Sequence, residues 1–437
     1  MANALLTISD ITNEGLMILE NELTLSDKIN KEYDDRFGMD GAKIGYTINV
    51  RKPARFTVSG GPNLNVQDFV ETSIPVTLTN QAHIDTQFIT SDLLLSMDDF
   101  RKRVLKPKIA ALANSVDAFV AQKMSMGTAN IIGTAGTLPT TTAPFFTAGA
   151  ILDTEGVPRD GERFLVMDQF THASMVPSLQ GLYNPQNIIA EQFKKGLLAR
   201  DALGFANYMD QNIYTQSFGN WAGSPVYNAT YGSSAIIATG WADSGTLGVS
   251  GFTNASSTVK VGDTFTLATV YMVNPQNRNT TKQLRTFVVL PPASGTPATG
   301  TFTAVLDSFG NTIGGTYNAN SSGQLSLTVA VAVITGGQFQ NVSNGPVSTT
   351  SALTPTGISV SGPQNLAFHK DAFTLVSADL PLPRGVEDAA RAAHKDVGIS
   401  MRVVRQYTIN NDAIPTRLDI LYGVAPLYRE LACRITG

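Results

Sequence analysis

Hydrophobic and polar positions alternate along this chain in stretches of clearly different period. Over residues 4 to 33, Leu5, Ile8, Ile11, Leu16, Ile18, Leu19 and Leu23 recur at spacings that suit short amphipathic helices, with Asp10 or Ser26 as caps. The pattern then changes to two-residue alternation, with Tyr46, Ile48 and Val50 set against Thr47, Asn49 and Arg51. A turn signal, Ser59-Gly60-Gly61-Pro62-Asn63, separates this run from a second β-rich one ending near Thr90, so a long hairpin is predicted. Neither limb carries enough bulk to bury two faces, and the hairpin therefore needs a partner surface.

The strongest helical signal follows in SMDDFRKRVLKPKIAALANSVDAFVAQKMSMG, where Leu105, Ile109, Leu112, Val116 and Phe119 stand three and four residues apart, with Lys123 or Met124 as the next step. Ser96, Asp98 and Asp99 suit its start, Gly127 suits its end, and Pro107 is expected to kink it or split off its first turns. The pattern next predicts a helix at 147 to 156, a strand at Arg163 to Met167, and helical stretches in FTHASMVPSLQGLYNP and NIIAEQFKKGLLARDALG.

Residues 221 to 362 change character. Only Asp243, Lys260, Asp263, Arg278, Lys282, Arg285 and Asp307 are charged, seven residues of 142, against 59 in the other 295. Thr, Ser, Gly, Asn and Val dominate, and short strand candidates recur between turn signals, as a compact β-barrel or sandwich requires. Mixed character returns from Asn365, with a helix predicted around Val386 to Lys395 and strands in ISMRVVRQYTIN and TRLDILYGVAPLY, joined by the turn NNDAIP. A β-domain bracketed by two parts of one mixed domain is the pattern of a domain inserted at a surface loop.

Composition narrows the function. The 437 residues exceed what one core usually organises, and only 15% are charged beside 43% hydrophobic, as in a protein whose surface is covered by copies of itself or in a Ser/Thr/Asn-rich secreted chain. A net charge of −4 argues against a dedicated nucleic-acid binder. Cys433 is the sole cysteine, and His83, His172, His369 and His394 are far apart, so neither a disulfide nor a metal cluster is expected. The start carries no basic segment before an apolar run, and no stretch reaches the length of a membrane span; a soluble intracellular product is expected. Catalytic signatures are missing: no G-x-S-x-G, no Walker lysine, no H-E-x-x-H and no calcium loop. The pairs Asp34–Asp35 and Asp98–Asp99 read as helix caps or solvated faces, His369 as a hydrogen-bonded or surface histidine, and Cys433 as a small buried hydrophobe. The cations Arg101, Lys102, Arg103, Lys106 and Lys108 read as a solvated helix face, with a contact to DNA or an acidic segment as the alternative.

The order of elements carries a resemblance. DDFRKRVLKPKIAALANSVD as a spine helix, KIGYTINV to SIPVTLTN as an extended loop, and NLAFHKDAFTLVSADLPLP as re-entry after an insertion resemble the major capsid proteins of tailed bacteriophages. The fold so implied is α+β, of the Hong-Kong-ninety-seven type, similar to the Salmonella phage P-twenty-two-type coat proteins with their inserted β-barrel domain. The resemblance divides the chain into an N-terminal helical arm (1–40), the extended loop (41–92), the spine helix and start of a peripheral domain (93–130), an axial domain in two parts (131–220 and 363–395), the insertion (221–362), and peripheral strands with the C-terminus (396–437). It implies a structural subunit that forms pentamers and hexamers of a virion shell and is assembled in the host cytoplasm. It further implies a scaffolding protein and a portal protein as partners, double-stranded DNA inside without sequence-specific binding, expansion on packaging, and no cofactor, catalysis or membrane.

On that reading Gly60 and Gly61 lie at the tip of a loop that covers a neighbouring subunit, and Arg51, Lys52 and Arg55 form intersubunit ion pairs or a solvated limb. Arg278, Lys282 and Arg285 would serve a bridge between insertions, and Pro107 with the hairpin roots would act as a hinge. No covalent crosslinking site is visible and no acidic coiled segment precedes the arm, so maturation by crosslinking or by removal of an N-terminal scaffold is not expected. Two alternatives stay open: a fibre- or adhesin-like surface-binding protein, which suits the Thr/Ser/Asn-rich insert, and an enzyme with an inserted lid, supported only by the strand RFLVMD.

Overall fold

A computed structural model describes residues 8–34, 47–89, 104–179, 201–202, 204–231, 236–253, 256–293, 295–308, 310–347, 351–394, 399–410 and 413–437. The chain divides into two compact units: 1–50, 74–121 and 373–425 form the first, and 51–73, 122–372 and 426–437 the second.

The first unit is built on a sheet of β1 (Asn30–Asp34), β21 (Phe373–Ala378), β24 (Ala413–Pro426), β23 (Ile399–Arg405) and β22 (Asp388–His394), in that order, with β4 (Asn80–Ile89) also paired to β24. Helix α1 (Ile8–Glu22) packs on β22 and β23. Helix α2 (Lys106–Gly127) contributes Ile109, Leu112 and Val116 to the same core, and the predicted three- and four-residue spacing places all three on one buried face. Asp117 on that helix accepts bonds from the Thr24 amide at 2.8 Å and the Ser26 amide at 3.0 Å, which ties down the chain after α1. Pro107 is the second residue of α2, directly after a π-helical turn at residues 104–105.

Two helix expectations fail here. Residues 30–34 form strand β1, parallel to β21, so the N-terminal segment is only partly helical. The Ala-rich segment 388–394 is strand β22, antiparallel to β23. Its local propensity is helical, but Ala390 and Ala392 are buried while Arg391 between them is exposed. That two-residue alternation on a sheet edge, covered by α1, outweighs a few tenths of a kcal/mol per residue of helix preference.

In the second unit the strands β5 (Asn130–Ile132), β25 (Ala432–Ile435), β20 (Asn365–His369), β6 (Arg163–Met167), β8 (Phe205–Met209) and β7 (Asp201–Ala202) form one sheet, so β6 falls where the sequence places it. Helices α3 (Ala143–Thr154) and α4 (Gln169–Leu179) accompany it. The core beneath α3 gathers Phe145, Leu152, Leu165, Met167, Phe205 and Cys433. β20 and β21, which both lie within 363–395, enter different sheets, and β25 shares the sheet of β6 and β20.

The insertion is a barrel. Strands β10 (Gly223–Tyr227), β11 (Gly245–Phe252), β17 (Leu325–Ala330), β14 (Thr280–Leu290), β13 (Thr264–Val273) and β18 (Leu353–Pro355) pair in that order. A bridge between Val226 and Ala352 and the bond from the Tyr227 amide to the Ser351 carbonyl at 2.9 Å then bring β10 back to β18. Closure removes the sheet edges that a domain so poor in charge would otherwise expose. A smaller sheet of β12 (Thr258–Lys260), β16 (Thr312–Asn318) and β15 (Thr301–Leu306) flanks it. The interior holds Trp221, Phe265 and Phe287, with ring centroids 5.5 and 5.7 Å apart in sequence, and Met126 from the end of α2 enters the same core. At the base, β9 (Thr215–Ser217) pairs antiparallel with β19 (Ser361–Pro363), so the chain leaves and returns side by side, as an insertion requires.

Candidate functional site

Two features of the second unit concern function: the long loop between β2 (Thr47–Lys52) and β3 (Thr72–Thr77), and the charged cluster at its root. The strands pair at the base, but residues 53–71 form no strand, so the expected hairpin is regular only near its start. Its tip, Gly60 and Gly61, meets no other atoms where a Cβ would stand. Along the loop Phe56, Val58, Leu64, Val66 and Phe69 are 62, 102, 91, 78 and 65% exposed. Burying such side chains would be worth roughly 1.5–3 kcal/mol each, and they form an exposed apolar row on the loop. The loop keeps its shape through Gln67, which accepts the Thr57 amide at 2.7 Å, and through the Phe56–Phe69 ring contact at 6.2 Å.

At the root the cations expected to reach other subunits find partners in their own chain. Arg55 donates to Glu430 at 2.8 Å. Lys52 is buried, with Nζ 4.5 Å from the Tyr428 ring centroid and 5.2 Å from that of Trp241. Arg51 alone stays in solvent, 80% exposed and 3.5 Å from Glu71. Arg285, at 2% exposure, lies inside the chain, ion-paired with Glu155 at the end of α3. Arg278 sits in the turn between β13 and β14, and Lys282 is exposed on β14. Lys106 is exposed at the start of α2, and Lys108 donates to Thr86 at 2.6 Å. Asp35, Asp98, Asp99, Arg101, Lys102 and Arg103 lie outside the described residues.

The cluster continues around the loop root. Arg429 clamps Asp243 with bonds of 3.0 and 2.7 Å and donates to the Gly127 carbonyl at 2.9 Å. Burial works to raise the carboxyls of Asp243 and Glu430, but Arg429 beside the first and Arg55 beside the second hold both below their ordinary values. Glu155 is pushed up by burial, with Arg285 opposing. Sequence reasoning missed the roles of Trp241, Asp243, Tyr428 and Glu430, since nothing local marks them as neighbours of residues 52–55.

A second polar centre fastens the barrel. Asp263, fully buried, accepts from the Gly219 amide at 3.0 Å, the Lys260 amide at 2.9 Å, Trp221 Nε1 at 2.9 Å and Gln216 Nε2 at 3.2 Å. Next to it, Arg434 of β25 donates to the Gly262 carbonyl at 2.9 Å. His369 lies 3.1 Å from Asp160, and Cys433 is a buried thiol that burial pushes up to about 12, as expected of a packing residue.

The sequence model of the family described as "P22 coat protein - gene protein 5" matches residues 59–434. The chain belongs to the P22 coat protein family. As a coat protein it is a structural subunit of a phage capsid shell, it acts as an oligomer, and its place is the virion. The fibre or adhesin alternative is left without support. The coat protein is also similar to solved structures, though distantly. With "Mycobacterium phage Che8" it shares 10% identity over 94% of this chain and 90% of that one, with a TM-score of 0.42. With "Capsid structure of the Cyanophage P-SCSP1u" the values are 10%, 95%, 88% and 0.38, and with "Asymmetric unit of bacteriophage PhiM1 mature capsid" 9%, 95%, 86% and 0.39. No curated protein matches the sequence.

Proposed function

We propose that this coat protein assembles in the host cytoplasm into pentamers and hexamers around a scaffolding protein, with a portal, and that the shell expands as double-stranded DNA enters. The observation that carries the reading is the exposed apolar row from Phe56 to Phe69, on a loop that no other described residue covers. A neighbouring subunit is the occupant that a closed symmetric shell supplies at every position. Many such contacts, each modest, hold a shell because releasing one subunit breaks several at once. Gly60, Gly61 and Arg51 would lie in that contact, and Arg278 with Lys282 on the insertion would meet another subunit. Pro107 and the roots of the loop are the hinge candidates for expansion.

The test is negative-stain electron microscopy of the chain expressed alone and with a candidate scaffold, beside a Val58→Asp/Leu64→Asp variant. Wild type gives closed shells, tubes or spirals of uniform wall thickness, while the variant stays monomeric with unchanged circular dichroism. Monomers from wild type even with scaffold, or normal shells from the variant, would overturn the reading of the loop.

A further inference from the structure

Around the loop root four cations face three carboxylates: Arg55 pairs with Glu430, Arg285 with Glu155 and Arg429 with Asp243, and Lys52 is left over. Lys52 is only 8% exposed, and among the described residues its ammonium makes no hydrogen bond or ion pair, only the two ring contacts with Tyr428 and Trp241. An ammonium carries three donors, and one largely withdrawn from solvent, opening only onto this pocket, is short of acceptors. Ring faces offset part of the charge but accept no conventional hydrogen bond. All seven charged groups line one cavity of about 50 Å³, with Lys52 on its wall. A single water needs roughly 10–15 Å³ on the same measure, so the space holds a small ion with a water or two and no larger organic molecule.

We propose that this cavity is a binding site for a small monovalent inorganic anion of halide size, held by Lys52. The anion supplies the acceptor that the ammonium lacks and the fourth negative charge that the cluster lacks. It also joins three segments far apart in sequence: the loop root at Lys52, the insertion at Asp243 and Arg285, and the C-terminal segment at Tyr428–Glu430. Anion occupancy therefore stabilises the loop root whether or not a neighbouring subunit covers the tip, and dilute, unassembled chain is the right material for the test.

The experiment measures thermal unfolding of the full chain at constant ionic strength while chloride, then bromide, replaces gluconate, which is too large for the cavity. Wild type is expected to gain about 2–4 °C in Tm on saturation. Lys52→Met loses that gain, and the surface control Lys106→Met keeps it. A Tm that ignores halide in wild type, or an equal gain in Lys52→Met, overturns the proposal and leaves ordered water as the acceptor. Should Lys52→Met fail to fold, bromide anomalous scattering from wild-type crystals decides the matter. A peak in contact with Lys52 Nζ supports the site, and a map with bromide only at the surface overturns it.

Discussion

Arg402 and Asp419 face each other in register across strands β23 and β24, with Arg402 Nε 3.0 Å from Asp419 Oδ1. Asp419 is fully buried and is also reached by Arg417 at 3.2 Å and by Gln81 of β4 at 2.8 Å. One carboxylate thus joins three strands of the first unit's sheet. Asp419→Ala leaves a half-buried guanidinium without its partner and is expected to cost about 3–5 kcal/mol. Urea denaturation checks this; a loss under 1 kcal/mol would show that the strands pair without it.

The pair Glu155 and Arg285 behaves differently when both members go. Arg285→Met or Glu155→Leu alone strands a buried charge and should cost about 3–5 kcal/mol, whereas the double replacement should recover most of that loss. A double-mutant cycle by chemical denaturation measures the recovery. Additive losses would mean that packing of the two stems, and not their charge pairing, holds α3 to the barrel.

Asp263 gives stability a pH dependence of predictable sign. Burial raises its carboxyl from 3.8 to about 6 despite the bonds it accepts. Between those values the folded chain keeps a proton that the unfolded chain has released. Its contribution is therefore greatest below pH 3.8, falls as pH rises towards 6, and is flat above. The unfolding free energy of wild type minus that of Asp263→Asn should fall by about 2 kcal/mol between pH 4 and 7. Denaturation curves at a series of pH values test it, and a constant difference would refute the assignment.

Arg55 and Glu430 test the loop root separately. The pair is partly exposed, at 34 and 19% for the two side chains, so Arg55→Ala should change global stability by no more than about 1 kcal/mol. Local opening is a different quantity, and chymotrypsin should cut at Phe56, Leu64 or Phe69 several-fold faster in the variant. Equal cleavage rates would show that Lys52 and Gln67 hold the loop without Arg55.

Much of the architecture was legible because it is local. The spacing of Ile109, Leu112 and Val116 foretells α2, the run Arg163 to Met167 is a strand at those limits, and the collapse of charge after residue 220 marks the insertion. Period and composition survive in one dimension, since each element must present one apolar face wherever it packs. The tertiary structure decided what those elements meet. It made residues 388–394 a strand against their own propensity, because β23 offered a pairing edge and α1 a cover. It turned Lys52, Arg55 and Arg285 inward towards Tyr428, Glu430 and Glu155, partners 130 to 376 positions away that no spacing rule connects. The exposed row on residues 56–69 is the converse case: the sequence by itself shows that those side chains are apolar, and only the fold shows that none of the described residues covers them. Local pattern sets which face of an element is apolar, but which charges are buried and paired depends on long-range packing.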